Sequence, residues 1–129
     1  AYRWALTLPR PMDHPPPPRN SQPTLETIRA AGGDELVREL YASFSDFAAA
    51  QAAWLDRLAA VHAYEGVAEA ARVLRISATQ VGVLEVVASC ERAEAAAHTH
   101  DAKAMRASLD EIHEALAAAR PWVDGLGAG

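Results

Sequence analysis

The distribution of proline is the feature that most constrains this fold. Seven of the eight prolines lie at or before Pro23, and the eighth is Pro121. Proline lacks a backbone donor and its ring clashes with the preceding turn of a helix. Residues 24–120 can therefore form helices interrupted only by turns, whereas the four consecutive prolines at 15–18 favour an extended spacer. The sequence predicts an extended, proline-rich tail at 1–23 and a helical domain at 24–129.

Apolar spacing and capping residues divide the helical domain into a short helix followed by four long ones. Gly32-Gly33 ends the short helix, and Asp34 caps the next one. Asp101 caps the last helix, which Pro121 is expected to end. The predicted helices lie at 25–31, 34–62, 64–80, 83–98 and 101–120. Because long helices joined by a few residues pack against their sequence neighbours, we expect an all-α fold, an antiparallel up-down-up-down four-helix bundle with a short N-terminal helix.

Large apolar residues at helical spacing mark the expected core. The first long helix carries a stripe in steps of three and four residues from Leu36 to Val61. Similar stripes follow on the three later helices. The large side chains expected to be buried are Leu40, Phe44, Phe47, Trp54, Leu58, Leu74, Val87, Leu109, Ile112 and Leu116.

Composition and charge narrow the function classes. The chain has 129 residues, of which 50 % are hydrophobic but only 6 % aromatic, and its net charge is −5. This composition is typical of closely packed, alanine-rich helices, and the negative charge argues against binding to nucleic acid. The single Cys90 excludes an internal disulfide, and no apolar run reaches the roughly 20 residues that span a bilayer. No signal peptide is apparent, so the sequence predicts a cytoplasmic protein.

The sequence offers no set of residues typical of a catalytic or cofactor site. His98 and His100 form a His-x-His pair without a placed carboxylate or third ligand, which is poor support for a metal site. A Ser/His/Asp set and a glycine-rich phosphate loop are absent from the sequence. Cys90 falls on the core side of its helix, where it acts as a small hydrophobic residue. We therefore predict a non-catalytic module without a metal or cofactor.

The helix predicted at 64–80 has an unusual outward face. With Val67, Leu74 and Ala78 turned inward, the step of about 100° per residue fixes the positions of the others. The outward residues are Glu69, Arg72, Val73, Ile76 and Thr79, with Arg75 and Gln80 at the edges. Two β-branched apolar side chains beside an arginine and a threonine indicate a protein-binding surface.

Three segments of the chain resemble the histidine phosphotransfer (HPt) domain, the four-helix relay module of bacterial two-component signalling. Residues 33–40 resemble the opening of the family's second helix, and residues 65–71 resemble the approach to its active helix. Residues 100–105 resemble the turn into its last helix. The resemblance covers about residues 24–120. It implies a four-helix bundle whose partners are receiver domains and histidine kinases.

The centre of this resemblance departs from the family's pattern. The family reads roughly His-x-Leu-Lys-Gly-Ser, with a glycine ten positions after the histidine. Residues 72–82 keep the leucine, the serine and the last glycine, and Arg75 keeps the basic residue. Arg72 stands at the position of the phosphoacceptor histidine, and Ile76 replaces the first glycine. Because a protonated guanidinium is not a nucleophile, the resemblance implies a pseudo-domain that takes up no phosphate at this position.

The tail adds a second resemblance. Tyr2, Trp4, Leu6 and Leu8 alternate with other residues, which is a strand pattern. Residues 3–9 resemble the final strand of the ATP-binding domain of a histidine kinase. That resemblance predicts that the bundle follows a kinase catalytic domain and is joined to it by the proline-rich spacer.

Three functions stay open from the sequence. The first is an HPt-like module that binds a receiver or histidine-kinase domain without accepting phosphate. The second is an active phosphotransfer domain that uses another histidine, such as His62 or His98. The third is a helical dimerisation module, in which the chain forms a homodimer. The partner-binding residues predicted for the first function are Arg72, Val73, Arg75, Ile76, Thr79 and Gln80.

Overall fold

The described part of the chain, residues 22–128, consists of four helices and contains no strand. These residues come from a computed structural model, with side chains described over 25–121. The helices are α1 (Gln22–Ala60), α2 (Tyr64–Val81), α3 (Leu84–His98) and α4 (Ala102–Ala128). Consecutive helices pack against each other, and α1 also packs against α4, so the four surround one core. The all-helical, four-helix prediction is thereby confirmed, while the tail strand and the proline spacer lie outside the described residues.

The predicted break at Gly32-Gly33 is present as a kink inside α1. Gly33 has φ 74° and ψ −170° and is the non-helical residue of that helix. This region of backbone space is open essentially to glycine alone. A Cβ at Gly33 would meet nothing within 4 Å, so the requirement for glycine here comes from the backbone and not from space.

The C-terminal end predicted for the last helix is wrong. Instead of ending at Pro121, α4 continues through it to Ala128. A proline inside a helix removes one backbone hydrogen bond and disfavours helical geometry in the residue before it, but it does not prevent the helix from continuing.

None of the described residues forms a helix long and apolar enough to cross a membrane.

The turns bear out several local predictions. Gly82 ends α2 in the left-handed region, at φ 77°, and the following Val83 N–H donates to the Ala78 carbonyl at 3.0 Å. This pattern satisfies carbonyl groups that the end of a helix leaves without partners. Asp101 accepts a hydrogen bond from the Ala104 N–H at 3.0 Å, which confirms it as the N-cap of α4.

Five of the ten large side chains predicted to be buried are buried, and three of the five that are not lie on α1. Leu40, Phe44, Leu74, Leu109 and Ile112 are buried as expected. The side chains that are only half-buried, against expectation, are Phe47, Leu58, Val87 and Leu116.

Trp54 is the clearest error in the predicted core. It is 46 % exposed, and Val61 of the same predicted stripe is 73 % exposed, whereas Leu55 is fully buried. The stripe that α1 buries lies one residue further along and includes Ala48 and Ala52. Small side chains at a helix contact allow closer approach and denser packing. The larger residues are therefore displaced to the flank of α1, where they are half-buried or exposed.

Tyr41 joins α1 to the end of α2. Its ring is 1 % exposed, and its hydroxyl donates a hydrogen bond to the carbonyl oxygen of Val81, the last residue of α2. The last carbonyls of a helix have no intrahelical donor, so Tyr41 supplies the missing hydrogen bond inside the core. Burial raises the pKa of Tyr41 to about 12.

Alanine substitutions on α1 test this register. Leu55→Ala is expected to lower the free energy of unfolding by about 2–5 kcal/mol, because it opens a cavity in the core. Val61→Ala, at an exposed position just after the end of α1, is the control and should change it by about 0.5 kcal/mol or less. Denaturant unfolding measures both values. Equal losses in the two variants would contradict the burial of Leu55.

The buried hydroxyl of Tyr41 predicts a loss of stability at alkaline pH. The pKa of Tyr41 is raised from 10.0 to about 12 on folding. Its stabilising contribution is therefore complete below pH 10 and declines as the pH rises towards 12. Tyr41→Phe should lower stability at pH 7 by about 1–3 kcal/mol, because the Val81 carbonyl loses its donor. The variant should also show a smaller decline between pH 10 and 12, measured by denaturant unfolding across pH, and an unchanged decline would argue against this assignment.

Candidate interaction surface on the second helix

The inward side of α2 is buried, as the sequence predicts. Val67, Ala71, Leu74 and Ala78 are each fully buried. On the opposite side, Glu69 and Arg72 are exposed and Ile76 is 37 % exposed, while Val73, Arg75, Thr79 and Gln80 are half-buried. Arg72 and Ile76 are four residues apart, so they occupy successive turns of the same outer side.

Arg72 is only weakly held. Its Nη1 lies 3.5 Å from Oε1 of Glu69, and both side chains are more than half exposed. An exposed ion pair three residues apart contributes little to stability. The guanidinium can therefore leave Glu69 for a carboxylate of another molecule at small cost.

Arg75 has a different environment. Its Nε donates to Oε2 of Glu94 on α3 at 2.5 Å, and its Nη2 donates to Oε1 at 3.3 Å. The hydrogen bond with Glu94 raises the pKa of Arg75. This two-point contact ties α2 to α3 in a partly buried position. Arg75 is therefore engaged inside the bundle, which sequence reasoning did not foresee when it placed this residue at the edge of the surface.

Two further residues of the predicted surface have local roles. The Thr79 hydroxyl donates to the Arg75 carbonyl oxygen at 2.8 Å, within α2. The Oε1 atom of Gln80 is buried without a hydrogen-bond partner among the described residues. The exposed part of the surface thus reduces to Arg72 and Ile76, with Val73 beside them.

A groove between α2 and α3 adjoins this surface. Arg72 lines it together with Glu65, Glu69, Glu94 and His98. Glu69 pairs with Arg72 and Glu94 pairs with Arg75, so the groove is only slightly acidic, through Glu65. His98, at the end of α3, and Arg72 thus line one groove, which sequence reasoning missed.

The turn end of the bundle holds an aromatic stack. The rings of Tyr64 and His100 are parallel within 9° at a centroid distance of 4.4 Å, and His62 lies 6.0 Å from Tyr64. His62 and His100 both adopt left-handed backbone conformations, with φ 55°. Among the described residues, no group of three or more His, Cys, Asp or Glu side chains could hold a metal ion.

Two other ionisable sites have structural explanations. Cys90 is fully buried, as predicted, and desolvation raises the pKa of its thiol to about 12, so the reactive thiolate is not formed at neutral pH. Asp56 on α1 lies 2.7 Å from Nε2 of His113 and 2.9 Å from Nη2 of Arg106. Partial burial acts against ionisation, but the hydrogen bonds from Arg106 and His113 lower the pKa of Asp56. This group ties α1 to α4.

Position 72, on the exposed side of α2, carries an arginine and no histidine. Arg72 offers a charge-assisted contact, and Ile76 offers apolar area. No protein-family model, curated protein or solved structure matches this chain.

Proposed function

We propose that this chain is an HPt-like signalling module of a bacterial two-component pathway that has lost its phosphoacceptor. It binds a receiver or histidine-kinase domain through the outward face of α2 and takes up no phosphate there. The observation that carries the proposal is the position of Arg72. It stands where the motif calls for histidine, exposed on α2 with Ile76 one turn away.

The proposal includes an antiparallel, up-down-up-down topology. Two hydrogen bonds between α1 and α2 support it. The donor that comes earlier on α1 bonds to the acceptor that comes later on α2, which is the order expected of antiparallel helices. Gln51 bonds to the Ala70 carbonyl, and Tyr41 bonds to the Val81 carbonyl. The links between helices are two or three residues long. Connections this short favour reversal of the chain direction.

Three features of α2 support a role without phosphate. The Arg72 guanidinium stays protonated at physiological pH and cannot attack phosphorus. Arg75, the basic residue that the motif retains, is occupied by Glu94. The adjoining groove adds the carboxylate of Glu65, which disfavours a phosphoryl group. Each of these features is compatible with binding to a protein.

The same face suggests the kind of partner surface that fits. Arg72 pairs well with a partner's carboxylates, such as the acidic pocket of a receiver domain. Ile76 and Val73 add apolar area beside the arginine. Ile76 also fills the space that glycine leaves in the family, so the partner docks against a branched side chain and the contact differs from one that transfers phosphate.

A second candidate function, phosphotransfer through another histidine, has one observation in its favour. His98 is exposed and lines the same groove as Arg72. A phosphoryl group on His98 would have Arg72 nearby, although three glutamates line the groove as well. His62 is less suitable, since it lies in the turn before α2.

Treatment with a phosphodonor separates these two functions. We expect no acid-labile phosphoryl adduct after incubation with acetyl phosphate or a phosphorylated receiver, because position 72 carries no nucleophile. Intact-mass spectrometry under neutral conditions measures the adduct. A stoichiometric adduct lost in His98→Ala would instead establish the phosphotransfer function and refute the pseudo-domain.

The double variant Arg72→Glu/Ile76→Asp tests the docking face. Both positions are exposed, so stability should change by about 0.5 kcal/mol or less at each. Affinity for the cognate receiver or kinase should fall by about five- to thirty-fold, equivalent to about 1–2 kcal/mol, since a central arginine and an apolar contact are lost. Titration calorimetry measures the affinity.

Lys103→Glu/Ala107→Asp is the matched control for this experiment. It makes the same charge change at two exposed positions one turn apart on α4. We expect the control variant to bind like the wild type. Unchanged affinity in a folded Arg72→Glu/Ile76→Asp variant would place the contact elsewhere.

A further inference from the structure

The outer face of α1 carries apolar residues that no other helix covers. This face comprises Asp46, Ala50, Ala53, Trp54 and Arg57, and all five residues are exposed. With a step of about 100° per residue, they fall within an arc of roughly 100°. Trp54, at one edge of this arc, is 46 % exposed. An exposed tryptophan among alanines is an unusual surface for a bundle whose other exposed positions are mostly charged or small.

The charges at the two ends of this face have no ion-pair partner among the described residues. None of the ion pairs among the described residues involves Asp46 or Arg57. The guanidinium carbon of Arg57 lies 5.4 Å from the centroid of the Trp54 ring. Asp46 and Arg57 are separated by about three helical turns, or roughly 16 Å along the axis. They project within about 20° of each other, so the face has an acidic end and a basic end.

A face with these features is complementary to itself in the antiparallel direction. When α1 of a second copy lies antiparallel with its two-fold axis between residues 51 and 52, Arg57 of each copy faces Asp46 of the other. Ala50 then faces Ala53, and two small residues at the axis allow the helices to approach closely. Both unpaired charges find a partner in this register, and each pair occurs twice.

The same register also places the exposed ring of Trp54 at the contact. Trp54 and Ala50 lie on the same flank of this face, and both are exposed. The two-fold axis keeps residues of one flank together, so Trp54 of one copy lies within about one residue's rise of Ala50 of the other. A bulky side chain thus meets a small one, which is the complementary shape that helix packing requires.

We propose that a second copy of this chain docks on the outer face of α1, giving a two-fold symmetric dimer with antiparallel α1 helices. The occupant is a copy of the same protein because Asp46 and Arg57 complement each other only when the second helix carries the same spacing in reverse. This surface lies on α1, whereas the docking face of the proposed function lies on α2. The dimer therefore does not depend on the identity of the receiver or kinase partner.

A charge-swap cycle on the full chain tests the dimer. Sedimentation velocity over a concentration series should show a monomer–dimer equilibrium for the wild type. Arg57→Asp places two carboxylates opposite each other at both ends of the contact, and Asp46→Arg does the same with two cations. Each single variant should raise the dimer dissociation constant by about tenfold or more, since two exposed attractions become repulsions.

The double variant Asp46→Arg/Arg57→Asp is the decisive member of the cycle. It restores opposite charges across the two-fold axis, so its dissociation constant should return to within about threefold of the wild-type value. Lys103→Glu, an exposed charge reversal on α4, is the control and should leave the dimer unchanged. A wild type that stays monomeric at several hundred micromolar, or a double variant as weak as the single ones, would overturn the proposal.

The dimer and the proposed docking function are separable by experiment. Thermal unfolding of each variant confirms that the exposed substitutions leave the fold intact. A dimer that forms normally in Arg72→Glu/Ile76→Asp, together with loss of partner binding, supports both proposals. Loss of the dimer in that variant would place the self-contact on α2 and contradict the α1 surface.

Discussion

The burial of two alanines on α1 bears on which side chains of that helix meet solvent. Ala48 and Ala52 lie on the buried side of α1, between Phe44 and Leu55. Their small side chains bring the helix backbone near the core, and the aromatic and branched residues of the neighbouring stripe then have no room inside. Trp54 is exposed for this reason. The residues that α1 exposes to solvent therefore depend on which residues it buries on its opposite side.

Much of the fold follows from local sequence signals. The Gly82 cap and the Asp101 cap identify where helices end and start, because each acts within a few residues. Pro121 does not, since α4 continues through it. The inward side of α2 is equally accessible to pattern reasoning, since its apolar residues form a single stripe. On α1 two stripes lie one residue apart, and spacing weighs large hydrophobic residues above alanine. The packing of α1 against the other helices determines which of the two stripes is buried. The spacing of apolar residues along α1 alone does not show that packing.

The same division applies to the candidate site. The exposure of Arg72 and Ile76 follows from helix geometry, because both lie opposite a well-defined buried stripe. The engagement of Arg75 does not, since it depends on Glu94 nineteen positions away on α3. Likewise, His98 reaches the groove of Arg72 through the pairing of α2 with α3. A basic residue in a motif therefore says little about anion binding until its cross-helix partner is known.

The kink at Gly33 has a consequence in terms of chirality. Its backbone angles, φ 74° and ψ −170°, are nearly the mirror image of an ordinary extended residue. L-amino acids avoid this region, but D-amino acids favour it for the same steric reason. Since a side chain on Gly33 would meet no neighbour within 4 Å in the direction of an L-residue's Cβ, the barrier to substitution lies in handedness and not in volume. At Gly33 the chain adopts a geometry that belongs to the opposite enantiomer, and glycine, the achiral residue of the genetic code, can provide it.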